Sequence, residues 1–149
     1  MAKKIFLIGV IIIMGLGLFS GCGQGTEVNF EIGSASGHAS EQPIKIIVRS
    51  LEEWNNSDAA KTITIDEKYD VAFFTNNALV VVAFRTTSGE GEIQEIKVSK
   101  SGNRLIIDID GTDGLQTMIG VMVVAIEVKK DDIQGINNIK FTTNMKQPK

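Results

Sequence analysis

The chain has 149 residues, with 15 Lys and Arg against 18 Asp and Glu, for a net charge of −3 at neutral pH. Such a balance suits nucleic acid poorly, because a phosphate backbone is met by an excess of cations. The single cysteine excludes an intramolecular disulfide, and the single histidine leaves little for metal binding or acid–base catalysis.

Residues 5–19 are a mostly apolar run behind Lys3 and Lys4. As a helix this run would reach roughly 22 Å, short of the ~30 Å hydrocarbon core of a bilayer, so it suits a signal-peptide core better than a permanent span. It closes on Phe19-Ser20-Gly21-Cys22, where the small Ser20 and Gly21 let a peptidase approach the backbone. The pattern resembles the lipobox of bacterial lipoproteins: an aliphatic residue, two small residues and the lipidated cysteine. Phe19 stands where leucine is commonest.

The resemblance implies a signal peptide over residues 1–21, cleavage before Cys22, a thioether-linked diacylglyceryl group on its sulfur, and fatty acylation, such as palmitate, of the new N-terminus. One acyl chain holds a protein only marginally, so stable attachment calls for two or more. The expected location is a cell membrane, with the protein lipid-anchored and facing the extracytoplasmic side of the envelope. Loss of Lys3 and Lys4 takes the net charge from −3 to −5. The domain as a whole is then not drawn to anionic lipid, and the acyl chains must supply the anchor.

Residues 22–42 hold Cys22 and then a Gly-, Ser-, Ala- and Glu-rich stretch that reads as a flexible tether. Val28, Phe30 and Ile32 alternate within it and predict at most a short strand. His38 lies there without partners for a metal or a catalytic dyad.

The single folded domain is expected over residues 43–143. Ile44, Ile46 and Val48 predict a strand, and Ser50 and Glu53 have capping-box spacing for a short helix that buries Trp54. Residues 62–65 are a brief β-branched run. Residues 66–74 predict a second short helix with Asp66 as N-cap and Tyr69 and Phe73 on one face. Residues 78–84 are too continuously apolar for a half-exposed strand and predict a central one.

A meander follows. A glycine-containing loop at 87–91 leads to a strand ending at Lys100, with a bulge expected after Ile93. A turn at 101–103 precedes a strand that places Leu105, Ile107 and Ile109 on one face. Residues 111–116 read as a polar loop, 118–128 as a long strand and 139–143 as an edge strand. Residues 144–149 are expected to be a disordered tail. The expected fold is mainly β: an antiparallel sandwich or rolled sheet of five to six strands, with one or two short helices near the start of the domain.

Residues 69–141 run as a short aromatic helix, KYDVAFF, a central strand, NNALVVVAF, then a Ser-Gly turn and a strand. This resembles the C-terminal domain of the PrcB protease-complex-subunit family, found in secreted and lipid-anchored bacterial proteins. Where that family carries Thr-Gly-Gly-Tyr, this chain has Thr87-Ser88-Gly89-Glu90. The resemblance implies a partner-binding role.

Catalytic residues, cofactors and a metal are not expected. Hydrolase triads lack a histidine outside the tether, and Asp108, Asp110 and Asp113 form the one carboxylate cluster that invites calcium. The EF-hand frame fails there, with Asp113 in the glycine position and Ile119 in the glutamate position. The chain is therefore read as a lipid-anchored binding module, not an enzyme. Its candidate partner-binding loops are Ser88, Gly89 and Glu90, and Gly111, Thr112 and Asp113, meeting an envelope protein. An accessory envelope protein without a discrete ligand is the alternative, and an enzyme using Asp108 and Asp110 a second one.

Overall fold

A computed structural model describes residues 25–87, 91–114 and 119–147. The architecture is mainly β, as expected, with ten strands among the described residues. One sheet contains β1 (Thr26–Glu27), β7 (Glu92–Ser101), β8 (Arg104–Thr112) and β10 (Asn138–Lys146) in the order β1-β7-β8-β10. The facing sheet has β2 (Phe30–Ile32), β9 (Gly120–Lys129), β6 (Asn77–Thr86) and β4 (Ile44–Val48) in the order β2-β9-β6-β4. A small pair, β3 (Ala35–Gly37) with β5 (Ile63–Ile65), joins α1 (Leu51–Asn55) and α2 (Phe73–Asn76) in a cap.

The second sheet is the middle of three layers. Alternate residues of β6 point opposite ways: Ala78, Val80, Val82 and Phe84 pack against Leu105, Ile107 and Ile109 of β8. Leu79, Val81 and Ala83 pack against Trp54, Ile63, Tyr69 and Phe74 of the cap. Residues 78 to 84 are therefore all buried, which explains an apolar run without alternation. Ile44, Ile46 and Val48 likewise face the cap, while Ile47 faces the sandwich interior.

From β6 onward successive strands run up and down, but they change sheets. β7 and β8 lie in one sheet, β9 crosses to the other, and β10 returns beside β8. Two strands separated by one crossing strand run in the same direction, so β8 and β10 pair parallel, from Asn138↔Arg104 to Lys146↔Thr112. This pair departs from the purely antiparallel expectation. The sandwich thus has one end at the β7–β8 turn and the β9–β10 connection, and the opposite end at Thr86, Glu92 and Thr112.

Local chemistry follows the sequence in several places. Ser50 Oγ accepts the Glu53 N–H at 3.0 Å, but the Glu53 carboxylate returns to the Arg49 N–H at 2.6 Å, one residue earlier than a capping box requires. The ladder of β7 on β8 shifts between Ile93 and Glu95, the expected bulge. Gly102 turns the β7–β8 hairpin at φ +60°, where a side chain would be strained.

Three expectations are corrected. The supposed tether is structured: β1 pairs with β7, β2 with β9 and β3 with β5, and Val28 is 3% exposed in the sandwich core. Its few apolar residues are enough because Val28 and Phe30 pack into the sandwich core and Ala35 and Ala39 against the cap. Residues 66–72 are turns instead of helix, since Asp66 Oδ1 takes the Lys68 N–H at 2.9 Å and Asp70 Oδ1 the Phe73 N–H at 2.9 Å. Residues 144–146 extend β10 along Asp110, Gly111 and Thr112, so the tail does not fray there.

Leu79→Ala is expected to lower stability by about 2–5 kcal/mol, the usual cost of emptying a buried leucine site. Val28→Asp should also lower the urea midpoint sharply, whereas the same change in an unordered tether would leave it unmoved. Urea unfolding followed by Trp54 fluorescence checks both.

Candidate functional site

Tyr69 emerges from the turns before α2 and is 2% exposed beneath the link between β2 and β3. Its hydroxyl donates to Glu127 Oε1 at 2.9 Å and accepts the Ser34 N–H at 3.1 Å. Lys68 Nζ reaches the same Glu127 oxygen at 2.5 Å, with half of the lysine side chain exposed. Three parts of the fold therefore meet at one phenol: the link between β2 and β3, the cap, and β9. Gly33 is needed for that approach, because a Cβ there would lie 1.7 Å from the Tyr69 oxygen.

Burial raises the Tyr69 pKa above the ordinary phenol value, and the hydrogen bond to Glu127 raises it further. Lys68 is also raised, chiefly by its hydrogen bond to Glu127. Both groups thus hold their protonated forms more firmly than in an unfolded chain.

Beside this cluster a shallow open groove of about 280 Å³ runs between β2, β9 and the start of β6. Phe30 and Phe73 supply its apolar walls, and Asn29, Glu31, Asn77, Glu127 and Lys129 its polar ones. Phe73 is braced from behind by edge-to-face contacts with Tyr69 at 4.8 Å and with Phe74 at 5.1 Å. Lys129 Nζ donates to Asn77 Oδ1 at 2.9 Å. The lining offers aromatic surface, amide donors and acceptors, two carboxylates and one ammonium group.

The sequence-derived site residues fall differently. Cys22 with Phe19, Ser20 and Gly21 lies outside the described residues, as do Ser88, Gly89 and Glu90. Gly111 and Thr112 are part of β8 instead of a polar loop. Asp113 is 5% exposed: its N–H donates to the Lys146 carbonyl at 2.9 Å, and its Oδ2 accepts Thr87 Oγ1 at 2.5 Å and Gln147 Nε2 at 3.1 Å. It clasps the ends of β6, β8 and β10 and is not an exposed contact residue.

Asp108 and Asp110 lie on the outer face of β8, where Asp108 accepts a hydrogen bond from Thr142. Asp113 is turned inward, and among the described residues no group of three or more His, Cys, Asp or Glu is placed to hold a metal ion. His38 is exposed, and its backbone N–H bonds the Thr62 carbonyl at 3.0 Å.

The groove was not legible in advance, because Phe30 sat in the presumed tether. One signal was available: Glu127 is the only charge between Gly120 and Val128 in an otherwise apolar strand. A buried-strand acid needs a partner, and the partner is Tyr69. No family model, curated protein or solved structure matches the chain.

Gly33→Ala is expected to expel the Tyr69 hydroxyl and destabilise the fold by more than ~2 kcal/mol, a size reserved for packing clashes and broken buried bonds. Tyr69→Phe added to it should recover part of the loss, which a double-mutant cycle by urea unfolding would read as favourable coupling.

Tyr69 is the only tyrosine, so ultraviolet phenolate titration reports it alone. Its midpoint should lie above the ordinary value of about 10 and fall part of the way back in Glu127→Gln. Because the folded value is raised, the phenol's contribution to stability is complete below the unfolded value and is lost as pH climbs through the folded one.

Proposed function

We propose that this chain is an extracytoplasmic lipoprotein, held at a membrane by lipid on Cys22, whose β-sandwich binds a partner in the envelope. The observation that carries this reading is the order Lys3-Lys4, apolar run, Ser20-Gly21-Cys22, with the first strand starting only four residues beyond the cysteine. No helix among the described residues is long and apolar enough to cross a membrane, so attachment on this reading falls to acyl chains.

The groove between Phe30 and Phe73 is the contact surface favoured by its lining. Aromatic side chains present large, rigid area at low entropic cost, and the surrounding amides and charges orient what they touch. Its openness suits a segment of another protein better than an enclosed small molecule.

Mass spectrometry of the mature N-terminus is expected to find diacylglyceryl on Cys22, and Cys22→Ser should move the protein out of the membrane fraction. An unmodified Cys22 would end the proposal. For the partner, a photo-crosslinking side chain at Asn29, on the groove rim, should give one reproducible adduct in cells. One at Glu52, on the outside of the cap, should not. Indistinguishable adducts at both positions would favour an accessory envelope protein without a discrete ligand.

A further inference from the structure

We propose that the end of the sandwich carrying Lys100, Arg104, Lys129 and Lys130 rests against anionic lipid headgroups. The proposal deepens the lipoprotein reading and rests on it. The first described strand fixes which end is nearest the anchor: Thr26 pairs with Lys100, one residue from the β7–β8 hairpin turn. Four residue steps separate Cys22 from Thr26, and an extended chain covers at most about 14 Å in that distance. The headgroup layer takes up roughly 5–8 Å of it. What remains is about one Debye length at physiological salt, near 8 Å, so charges at this end still interact with the surface while those at the far end are screened.

The near end is one built unit. The Asn137 N–H bonds the Asn103 carbonyl at 3.1 Å, and Lys100 Nζ bonds the Asp132 carbonyl at 2.6 Å, tying the hairpin turn to the β9–β10 connection. Lys130 Nζ donates to the Phe74 carbonyl and Lys129 Nζ to the Asn77 amide oxygen. These ammonium groups are bound to neutral oxygens, so no bound carboxylate cancels their charge. Asp131 and Asp132 are acids of this end, and on its cap side Arg49, whose guanidinium donates to the Ile136 carbonyl, is accompanied by Glu53, whose carboxylate takes the Arg49 N–H. One level further in, Glu27 is offset by Lys140, on the opposite edge of the same sheet at the level of Ser99 and Ile106, while in the facing sheet Glu127 is paired with Lys68 and Glu31 lies beside it.

The tip of the near end, with Arg49, Lys100, Arg104, Lys129 and Lys130 against Glu53, Asp131 and Asp132, is therefore net cationic in a chain whose mature charge is −5 once Lys3 and Lys4 are gone. Overall acidity argues against lipid attraction only if charge is averaged over the molecule, and screening forbids that average. Other acids lie away from that tip: Asp58, Asp66 and Glu67 on the cap, and Glu92 and Glu95 towards the far end.

The test uses the full lipidated protein in vesicles of phosphatidylcholine, with and without phosphatidylglycerol, and a headgroup spin-labelled lipid as quencher. A fluorophore is placed at Gln134→Cys, exposed at the near end, or at Glu92→Cys, exposed at the far end. The Gln134 site should be quenched several-fold more than the Glu92 site. The excess should grow with phosphatidylglycerol and shrink in Arg104→Gln with Lys129→Gln. Equal quenching at both sites, with lipid confirmed on Cys22 by mass spectrometry, overturns the orientation and leaves the anchor standing. Near-end contact indifferent to phosphatidylglycerol and to both substitutions overturns the role of the cations. An unmodified Cys22 overturns the anchor and the orientation together.

Discussion

The rest of the structure depends on covering the middle sheet on both faces. β6 has no polar face, so half of its side chains would be left in water by a two-layer sandwich. At roughly 25 cal/mol per Å² of apolar surface, exposing Leu79, Val81 and their neighbours would cost several kcal/mol. That is comparable to the whole stability of a domain of this size. The cap is therefore part of the fold's core and not an ornament on it. Its own elements are too short to stand alone: two helices of five and four residues and a two-stranded pair. They are ordered by the apolar surface they cover, with Trp54, Ile63, Tyr69 and Phe74 as the points of attachment.

The first described residues act in the same way at the sandwich's open side. Val28 fills the interior between the sheets, with β1 on one sheet and β2 on the other. Thus a segment of low apolar content crosses from one layer to the next and closes the gap between them. The Tyr69 hydroxyl fixes its far end, since Gly33 and Ser34 pass directly over it. Burying a carboxylate in the middle sheet is tolerable because Glu127 receives both a phenol and an ammonium group. Cap, middle sheet and N-terminal segment are in this way one cooperative unit, not a domain with a stalk.

Legibility in the sequence followed range. Most features decided within a few residues were read correctly: the strands at 44–48 and 78–84, the bulge after Ile93, the hairpin turn at Gly102 and the burial of Trp54; the exception is 66–72, where the Asp66 and Asp70 side chains bond nearby N–H groups and hold turns in place of a helix. Features decided across the chain were not. Composition could not show that Val28 and Phe30 have sheets waiting for them. The parallel pairing of β8 with β10 depends on β9 crossing to the other sheet, and no local pattern records that crossing. Asp113 looked like a solvated turn residue because its partners, Thr87 and Gln147, come from distant stretches. The groove was hidden for the same reason, its walls being supplied by β2, α2 and β9.

Ordering the chain from Thr26 changes what the sequence signal at Cys22 would accomplish. A twenty-residue stalk would let the domain tumble, and every face would sample the bilayer equally. A four-residue link instead couples the anchor's position to the orientation of the sandwich, because β1 is paired into the sheet at that end. The two ends then have different environments. On the proposed lipoprotein reading, one would hold the tied lysines near the surface, while the other, clasped by Asp113 and carrying the exposed Ile119, would face outward. The Phe30–Phe73 groove opens on the flank, with Lys129 shared between its wall and the cationic end. A partner entering that groove would therefore approach along the membrane plane and not from above it.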